Sequence, residues 1–497
     1  MCGILGIYGE SSVVKELFSG MESMQNRGQT SCGFLTYDGS NIFPKKTDGM
    51  VNDLFTRKEL QESPDNYFGS MGIAHVRYAT SGGEDTQAHK RDAQPEYITS
   101  PLFISAAHNG QIYNGQEISK TFKRKPRTKC DVQFLLLPMQ RELIKENRKR
   151  GEDTTLEAVY AAAGKVMREA KGSYSAIFLT DGEDDPFLFA MTDPHKVRPL
   201  VVGKKIRDRE RIWYLASETA TLKRLGADYV MDVPGGSVLS VDPKNDKPVL
   251  KRIIEAKPYH CMFEWVYFSR PDSYINGVSV HDVRVRMGEA LGREHSIKAD
   301  SICPSVESGR RYGTGVSRVT GIPLEEGLMK DKFVRTFLLK NQGERDDAAH
   351  QSLIAVDAAV KDKRVAVTED SLVRGTNMRK IVRILRGAGA KEVHALIGCP
   401  PIIRPCYLGI DMRSNDEFIA TDENGNLRSI KDIGKDVNTD SLMYGSIKAL
   451  HESIKQGRTD FDICTGCLGL EGYPPSMLQD VKEFYRKSTG EKRAYES

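Results

Sequence analysis

The sequence predicts an α+β unit in the first half of the chain and an α/β unit with a parallel sheet in the second half. Up to about residue 245, short apolar runs such as GILGIYG and LFISAAHNG alternate with helical patterns. Further on, RVAVTEDSLVRGT, a helix through Met378–Arg386 and EVHALIGC follow the strand–loop–helix–strand order that builds parallel sheets. We therefore expect three regions, namely residues 2–245, residues 260–450, and a helical, charged tail over 451–497 that contains CTGC.

Length and composition are those of an ordinary globular protein. The 497 residues suffice for two or three domains, and 39% of them are hydrophobic while 28% are charged. A formal net charge of +4 is close to neutral for this length, so nothing predicts a nucleic-acid partner. Because no apolar run could cross a bilayer and MCGILGIYGE lacks the pattern of a secretory signal, we expect a cytoplasmic protein without a membrane partner.

The second residue is the first candidate for chemistry. Removal of Met1 would leave Cys2 with a free α-amine, whose pKa of about 7.7–8.0 lets it accept the proton of its own thiol near neutral pH. One residue would then supply both nucleophile and base. A small second residue is also common for processing reasons alone, so the interpretation depends on the motifs that follow.

Four such motifs lie downstream: NRGQ (26–29), HVRY (75–78), HNG (108–110) and CDVQ (130–133). Each has an ordinary explanation on its own, such as a hairpin turn at Asn-Gly or a helix cap at Asp131. Taken together and in this order, they resemble the class II glutamine amidotransferases, which hydrolyse glutamine with an N-terminal cysteine. That resemblance implies an Ntn-hydrolase-type domain with four αββα layers.

The resemblance also implies a role for each matched position. Arg77 would pair with the α-carboxylate of glutamine, since a guanidinium fork suits that planar anion, and Asp131 would bind the ammonium. Asn109 and the backbone amide of Gly110 would form an oxyanion hole, in which one donor lowers the barrier by about 3 kcal/mol. Arg27 would belong to the glutamine site by ordering the chain near Cys2.

The segment RVAVTEDSLVRGT joins an apolar strand to paired acids and a Ser/Gly/Thr turn before a helix. The acids can hold ribose hydroxyls, directly or through a metal, and the turn can bind a 5-phosphate; an acidic strand end with an ordinary turn is the alternative. The pattern resembles the type I phosphoribosyltransferases. Nearly the whole chain, residues 2 to about 475, resembles the amidophosphoribosyltransferase family. Besides this pattern, the resemblance rests on the segments FEWVYFSRPDS, VESG, GIPLEEGLMKDKFVRTF and CPPIIRPCYLGIDM.

This second resemblance implies transfer of glutamine nitrogen to phosphoribosyl pyrophosphate (PRPP), the start of purine synthesis, with purine nucleotide inhibitors and a homotetramer. It implies Mg²⁺ on Ser308, Glu369 and Asp370, and a hydrophobic passage for ammonia between two sites. The expected PRPP contacts come from a flexible loop and from the acid-tipped strand with its turn: Lys330, Arg335 and Thr336 in the loop, then Glu369, Asp370, Ser371, Arg374, Gly375 and Thr376.

Several positions depart from the pattern of that family. The loop KDKFVRTF lacks a glycine before Arg-Thr-Phe, His350-Gln351-Ser352 stands where a basic pair is usual, Thr30-Ser31-Cys32 departs after NRGQ, and Glu369 replaces aspartate. Fewer cations near PRPP would weaken its binding or change the acceptor. Two alternatives therefore stay open, namely a paralogous amidotransferase with another acceptor and a PRPP- or nucleotide-binding regulator.

Four cysteines match the positions at which some members of the family hold a structural [4Fe–4S] cluster. They are Cys261, Cys406, Cys464 and Cys467, the last two forming CTGC. Thiolates suit iron and sulfide, and the CxxC spacing lets two sulfurs reach one cluster. Zinc could fill the same site, Cys399 could replace Cys406, and CxxC could also be an ordinary buried pair.

Overall fold

The computed structural model describes residues 2–487 apart from 56–58, 60–66, 79–89, 129, 152, 184, 331–352 and 413–416. Its first half contains two antiparallel sheets. Seven strands form the first sheet: β1 (Gly3–Tyr8), β2 (Ser31–Tyr37), β3 (Ile42–Asp48), β4 (Met71–Arg77), β9 (Val201–Arg207), β10 (Glu210–Ala216) and β11 (Asp228–Asp232). Their order across the sheet is β11-β9-β10-β1-β4-β2-β3, so the N-terminal strand lies in the centre.

The second sheet has six strands: β5 (Glu96–Ile98), β6 (Ile104–Ile112), β7 (Gly172–Thr180), β8 (Phe187–Thr192), β12 (Ser237–Val241) and β13 (Val249–Arg252). Helices α1 (Val14–Ser23) and α5 (Thr219–Leu225) cover the first sheet. Helices α2 (Gly115–Thr121), α3 (Gln133–Arg150) and α4 (Leu156–Glu169) belong to the second. The second sheet reaches Arg252, beyond the boundary predicted at residue 245.

The cores of this half explain the layering. Strand β1 is buried along its whole length, and its side chains alternate between two cores as the period of a strand requires. Ile4 packs in the core between the sheets, together with residues such as Ile177 and Trp213, whereas Leu5 and Ile7 pack in the core under α1. A separate core joins the other sheet to α3 and α4. The layers are therefore helix, sheet, sheet and helix, as the resemblance predicted.

The second half is built on a four-stranded parallel sheet of β17 (Ser301–Pro304), β20 (Arg364–Glu369), β21 (Glu392–Ile397) and β22 (Ser441–Tyr444), in that order. Two apolar cores cover its two faces. The helices of this half are α6 (Val280–Glu294), α7 (Arg310–Thr320), α8 (Asp357–Val360), α9 (Thr376–Gly387), α10 (Ile430–Asp436), α11 (Ile447–Lys455) and α12 (Leu478–Lys487). Three short strand pairs complete it: β14 (Tyr259–Cys261) with β23 (Asp462–Cys464), β15 (Tyr274–Ile275) with β16 (Val278–Ser279), and β18 (Leu328–Lys330) with β19 (Leu353–Ala355).

The chain beyond residue 440, including the tail predicted as helical over 451–497, contains two strands that the sequence does not predict. Strand β22 is the fourth strand of the parallel sheet, and β23 pairs in parallel with β14, so that Ile463 lies opposite His260. Both strands are three or four residues long, and their identity is decided by distant partners rather than by local pattern. Within the described ranges, no helix is long and apolar enough to cross a membrane.

Candidate active site

The motifs of the first half converge on one pocket. Antiparallel pairing of β1 with β4 sets Gly3 opposite Val76, which brings Cys2 beside the end of β4 at Arg77. Strand β6, in the facing sheet, carries His108, Asn109 and Gly110 to the same place. The pocket lining consists of these groups and others from distant loops: Cys2, Arg77, Tyr78, Gln94, His108, Asn109, Gly110, Cys130, Asp131 and Gly409.

Cys2 is held at its backbone rather than through its sulfur. Its nitrogen donates a hydrogen bond to Oδ1 of Asn109 at 3.2 Å, and its carbonyl accepts one from Nε of Arg27 at 2.9 Å. The thiol has only a long contact, 4.0 Å from Sγ to the carbonyl oxygen of Tyr78. The residue is therefore fixed in position while its sulfur faces the pocket.

Two donors that point to anion binding have no protein partner among the described residues. Nδ2 of Asn109 is buried without a hydrogen bond, and so is Nη1 of Arg77. A buried unpaired donor costs free energy, so both groups are arranged for acceptors that a ligand would bring. A carboxylate fits the guanidinium, and the oxyanion of a tetrahedral intermediate fits the amide.

Asp131 brings a negative charge to the same pocket, which Arg77 lines with a positive one. One carboxylate oxygen accepts the N–H of Ile112 at 3.0 Å, and the other lies 3.3 Å from Nε2 of His108. Burial raises the pKa of Asp131, but His108, the Ile112 amide and Arg77 together bring it below its ordinary value. The group is therefore a partly buried anion, which suits an ammonium ligand.

Gln94 and His108 hold Asp131 in this position, and neither residue was predicted to have a role from the sequence. Oε1 of Gln94 accepts the backbone N–H of His108 at 2.7 Å, and its Nε2 lies 3.3 Å from the ring nitrogen Nδ1. Gln94 thereby fixes the ring that faces Asp131. His108 could have been found from its place in HNG, whereas Gln94 follows no motif.

Arg27 does not line the pocket. Its guanidinium is fully buried, donating to Glu218 at 2.7 Å and to Glu264 at 2.8 and 3.0 Å as well as to the carbonyl of Cys2. Glu264 lies on a π-helical turn, Glu264–Phe268, in the second half of the chain. All these partners of Arg27 are protein groups, and we expect the residue to position Cys2 through its carbonyl.

The second predicted site lies at the carboxyl end of β20. Ser308 donates a hydrogen bond to Oε1 of Glu369, and Asn377 donates to Oε2 at 3.2 Å. Asp370 is buried, and burial together with the charge of Glu369 raises its pKa well above the ordinary value. Two adjacent carboxylates in this state favour a cation or hydroxyl donors as ligands. Mg²⁺ commonly binds one or two carboxylates plus substrate phosphates, so the residues present fit it.

The turn after these acids leads directly into α9. Gly375 caps the helix with φ +74°, a conformation that glycine adopts without strain, and Thr376 begins the helix. Ser371 donates to Asp370 at 2.5 Å, and Arg374 forms an ion pair with Glu417. Lys330 ends β18 and is exposed, whereas Arg335 and Thr336 lie outside the described residues, as do His350, Gln351 and Ser352.

Two exposed tyrosines lie near charged groups of the second site. Tyr78, beside Cys2, has its phenol near Asp411, Arg374 and Glu417, and burial followed by Asp411 raises its pKa. Burial and then the carboxylates of Asp370 and Glu369 raise the pKa of Tyr267 to about 12, with a smaller effect from Tyr78. Both tyrosines are exposed, by 44% and 52%, so the two phenols reach solvent near charged groups of the second half.

The four cysteines predicted to hold a cluster lie together in one core. Cys261 and Cys464 are paired across β14 and β23, and all four are buried. Sγ of Cys406 accepts the N–H groups of Leu408 and Ile410, each at 3.4 Å. Amide hydrogen bonds to sulfur and a buried set of thiols fit an iron–sulfur site.

Cys399 packs in the same core as these four. Burial and then Asp370 raise the pKa of its thiol, so it also lies near the acid-tipped strand, and it stays an alternative to Cys406 as the fourth thiol. Among the described residues, no three His, Cys, Asp or Glu side chains are arranged to hold one metal ion. Both the cluster and Mg²⁺ therefore stay predictions.

Comparison with known proteins identifies the family. No protein-family model matches the chain. Amidophosphoribosyltransferase from Methanocaldococcus jannaschii is 37% identical over 493 residues, which covers 94% of this chain and 96% of the relative. The Escherichia coli protein of that name is 33% identical over 472 residues, covering 93% and 90%.

Two solved structures resemble the chain over almost its full length. Glutamine PRPP amidotransferase from Bacillus subtilis, complexed with ADP and GMP, has a TM-score of 0.78 at 29% identity and covers 95% of this chain and 97% of its own. A structure described as the allosteric regulatory enzyme of purine biosynthesis has a TM-score of 0.79 at 30% identity, covering 97% and 99%. These matches confirm the predicted pairing of an Ntn-hydrolase-type domain with a phosphoribosyltransferase domain. The chain belongs to the amidophosphoribosyltransferase family, whose members are enzymes.

Proposed function

We propose that this chain transfers the amide nitrogen of glutamine to PRPP, forming 5-phosphoribosylamine, glutamate and pyrophosphate in the first step of purine biosynthesis. One observation carries the proposal: groups far apart in sequence line a single pocket, namely Cys2, Arg77, Asn109, Gly110 and Asp131. The pocket holds a nucleophile, a cation, an anion and oxyanion donors, which are the groups that glutamine hydrolysis needs. The names of the relatives agree with this reaction.

In the first half reaction, Arg77 would hold the α-carboxylate of glutamine and Asp131 its ammonium. After removal of Met1, the α-amine of Cys2 would take the thiol proton, and Sγ would attack the amide carbon. Nδ2 of Asn109 and the N–H of Gly110 would donate to the resulting oxyanion. Collapse of this intermediate would expel ammonia with the proton returned by the amine and leave a thioester, which water would hydrolyse to glutamate.

In the second half reaction, Glu369 and Asp370 would hold the ribose hydroxyls, while Ser371, Arg374, Gly375 and Thr376 would hold the 5-phosphate at the N-terminus of α9. Ammonia would attack C1 of the ribose as the C1–O bond to pyrophosphate breaks. Mg²⁺ on Ser308, Glu369 and Asp370 would offset the charge on the departing pyrophosphate. Lys330, Arg335 and Thr336 would close over PRPP and exclude water.

Ammonia must reach the ribose without taking up a proton. An internal passage between the two sites, which the closed loop would complete as the family resemblance implies, would keep it away from water. Low polarity along such a passage disfavours ammonium, because burial destabilises the charged form. Release into water would instead protonate most of the ammonia near neutral pH.

The finer assignments belong to the same proposal. Cys261, Cys406, Cys464 and Cys467 would hold a structural [4Fe–4S] cluster; iron and sulfide near four each per chain after anaerobic purification would support it, and zinc alone would refute it. Purine nucleotides would inhibit, in line with the ADP and GMP bound to the Bacillus subtilis neighbour. A homotetramer in the cytoplasm is expected, and the free thiols of all nine cysteines agree with a reducing compartment.

The test compares two cysteines that line the same pocket. Cys2→Ala should abolish glutamate release, whereas the ammonia-dependent formation of pyrophosphate from PRPP should persist. Cys130→Ala is the matched control and should keep glutamine-dependent activity, because burial raises the pKa of the Cys130 thiol far above neutrality. Mass spectrometry of the N-terminus should show that Met1 has been removed.

The outcomes separate the proposal from its alternatives. Glutamate release that persists in Cys2→Ala would refute the assigned nucleophile. Glutamate release without pyrophosphate release from PRPP would favour a paralogous amidotransferase with another acceptor. Binding of PRPP without release of either product would favour a regulator.

A further inference from the structure

The second half of the chain supplies one wall of the Cys2 pocket. Gly409 lines the pocket together with Cys2 and Asn109, although it follows the parallel sheet in sequence. The carbonyl of Leu408, one residue earlier, accepts a hydrogen bond from Oγ of Ser173 at 2.8 Å and another from the buried guanidinium of Arg198. Both donors belong to the first half, so the segment is fastened to the domain that it covers.

Gly409 approaches the backbone of Gly110 closely. A Cβ placed on Gly409, whose φ is +98°, would lie 2.9 Å from both the carbonyl carbon and the carbonyl oxygen of Gly110. A Cβ on Gly110, whose φ is +152°, would lie 1.9 Å from the carbonyl oxygen of Ser173. The Gly110 peptide is therefore enclosed by strand β7 on one side and Gly409 on another, with no room for a side chain on either glycine.

The segment that carries Gly409 is internally rigid. Sγ of Cys406 accepts the N–H groups of Leu408 and Ile410, which flank Gly409 in sequence. The backbone N–H of Cys406 in turn donates to the carbonyl of Met412 at 3.0 Å. These hydrogen bonds fold residues 406–412 around the sulfur of Cys406. Gly409 could therefore move only if the hydrogen bonds of the turn were also disturbed.

We propose that Gly409 is a positioning residue for glutamine hydrolysis, acting through its backbone contact with Gly110. The inference rests on the proposed function, in which the N–H of Gly110 donates to the oxyanion. That N–H belongs to the Asn109–Gly110 peptide, whereas Gly409 approaches the carbonyl of the following peptide. The donor keeps its direction only if the backbone on both sides of the Gly110 Cα stays in place, because a misplacement of about 1 Å can cost about a hundredfold in rate. Gly409 limits movement of the Gly110 carbonyl toward the second half, and thereby holds the backbone that carries the N–H.

The test uses two glycines with the same φ angle. Gly409→Ala should force the two backbones apart and lower the kcat of glutamine hydrolysis by about tenfold to a hundredfold, with a smaller change in KM. Gly39→Ala is the control, because Gly39 also has φ +98° but has no atom within 4 Å of an added Cβ. Both variants place an alanine at φ +98°, and only the one at position 409 touches Gly110.

Ammonia-dependent synthesis from PRPP provides the second readout. It bypasses the oxyanion hole, so Gly409→Ala should keep it within about twofold of the wild type while glutamine-dependent synthesis falls. Alkylation of Cys2 by iodoacetamide should also keep its rate, since the nucleophile is untouched. Ser173→Ala removes one donor to Leu408 without adding an atom, and should give the same selective loss to a smaller extent.

Three results would overturn the inference. Unchanged glutamine hydrolysis in Gly409→Ala would show that the contact is irrelevant. Equal losses of glutamine- and ammonia-dependent synthesis, or equal losses in Gly39→Ala, would show a general effect on folding. A wild-type chain that hydrolyses no glutamine would refute the proposed function itself, and the inference with it.

Discussion

Replacement of Arg27 by methionine should destabilise the protein by about 3–5 kcal/mol, because the change leaves buried carboxylates without their cation. The guanidinium is 0% exposed, and the side chains of Glu218 and Glu264 are each 1% exposed. Water therefore cannot replace the lost donors. The hydrophobic side chain of methionine fills similar space, so the cost comes from charge rather than from a cavity.

The remaining contacts show where most of this cost falls. Without Arg27, Glu218 still accepts the N–H of Arg270 and the hydroxyl of Ser273, both at 2.9 Å. Among the residues that the structure describes, the only other group that donates to the Glu264 carboxylate is Oγ of Ser269, at 2.8 Å. We therefore expect Arg27→Met combined with Glu264→Gln to recover much of the stability that Arg27→Met loses, which a double-mutant cycle would measure.

The pH dependence follows from the same contacts. In the wild type, burial raises the pKa of Glu264, but Arg27, Arg198 and Ser269 together outweigh burial and lower it. The stabilisation that Arg27 gives through this carboxylate is therefore present above the unfolded pKa and lost as pH falls. In Arg27→Met burial dominates, and the folded state binds more protons than the unfolded state. The stability difference between wild type and variant should therefore shrink between pH 7.5 and pH 5.

The assay is urea unfolding of four proteins at both pH values: wild type, Arg27→Met, Glu264→Gln and the double variant. Arg27→Lys is a milder variant that keeps the charge but cannot reach all three acceptors. Every Arg27 variant should also lose glutamine-dependent kcat, since the Cys2 carbonyl loses its donor. A destabilisation that does not change with pH, or no recovery in the double variant, would refute the electrostatic explanation.

Two further predictions concern buried titratable groups. Asp370→Asn should abolish pyrophosphate release from PRPP. It should also raise the free energy of unfolding by about 0.5–2 kcal/mol at pH 8. The reason is that burial and Glu369 raise the pKa of Asp370, so its negative charge opposes folding at high pH. The gain should fall at pH 5, and thermal melts at both values would check it; a loss of stability would contradict the argument. His260 has its pKa lowered to about 4 by burial and then by Lys196, so its neutral form supports stability above pH 6.5, and about 3 kcal/mol is lost as pH falls from 6.5 to 4. His260→Phe keeps the ring packing against Phe461 but cannot take up a proton, so its Tm should fall less with pH than the wild-type Tm, and parallel curves would contradict this.

The parts of the fold that the sequence predicted are those with local patterns. The apolar run after Cys2 is strand β1, the helix expected through Met378–Arg386 is α9, and the acids of RVAVTEDSLVRGT end β20. Strands β22 and β23 were missed, because a strand of three or four residues among helices has too little periodicity to be recognised. Their partners, β21 and β14, lie far away in sequence.

In the candidate site, too, residues in local motifs were predicted, whereas residues that only folding brings together were missed. Motifs predicted Asn109, Arg77 and Asp131, whose neighbours in the pocket follow from strand pairing. Gln94 and Gly409 come from loops without regular structure, and only the folded chain brings them to Cys2. The segment CYLGID was recognised as part of a family resemblance, but no pattern in it indicates that its glycine faces another glycine.

Both halves of the chain contribute residues that build the Cys2 pocket. Glu264 holds Arg27, which binds the carbonyl of Cys2, and Gly409 encloses the backbone of Gly110. Each contact reaches the pocket through the backbone, where a small displacement changes the direction of a hydrogen bond. A pocket that is complete only when the second half is in place ties glutamine hydrolysis to the presence of the domain that carries the acid-tipped strand.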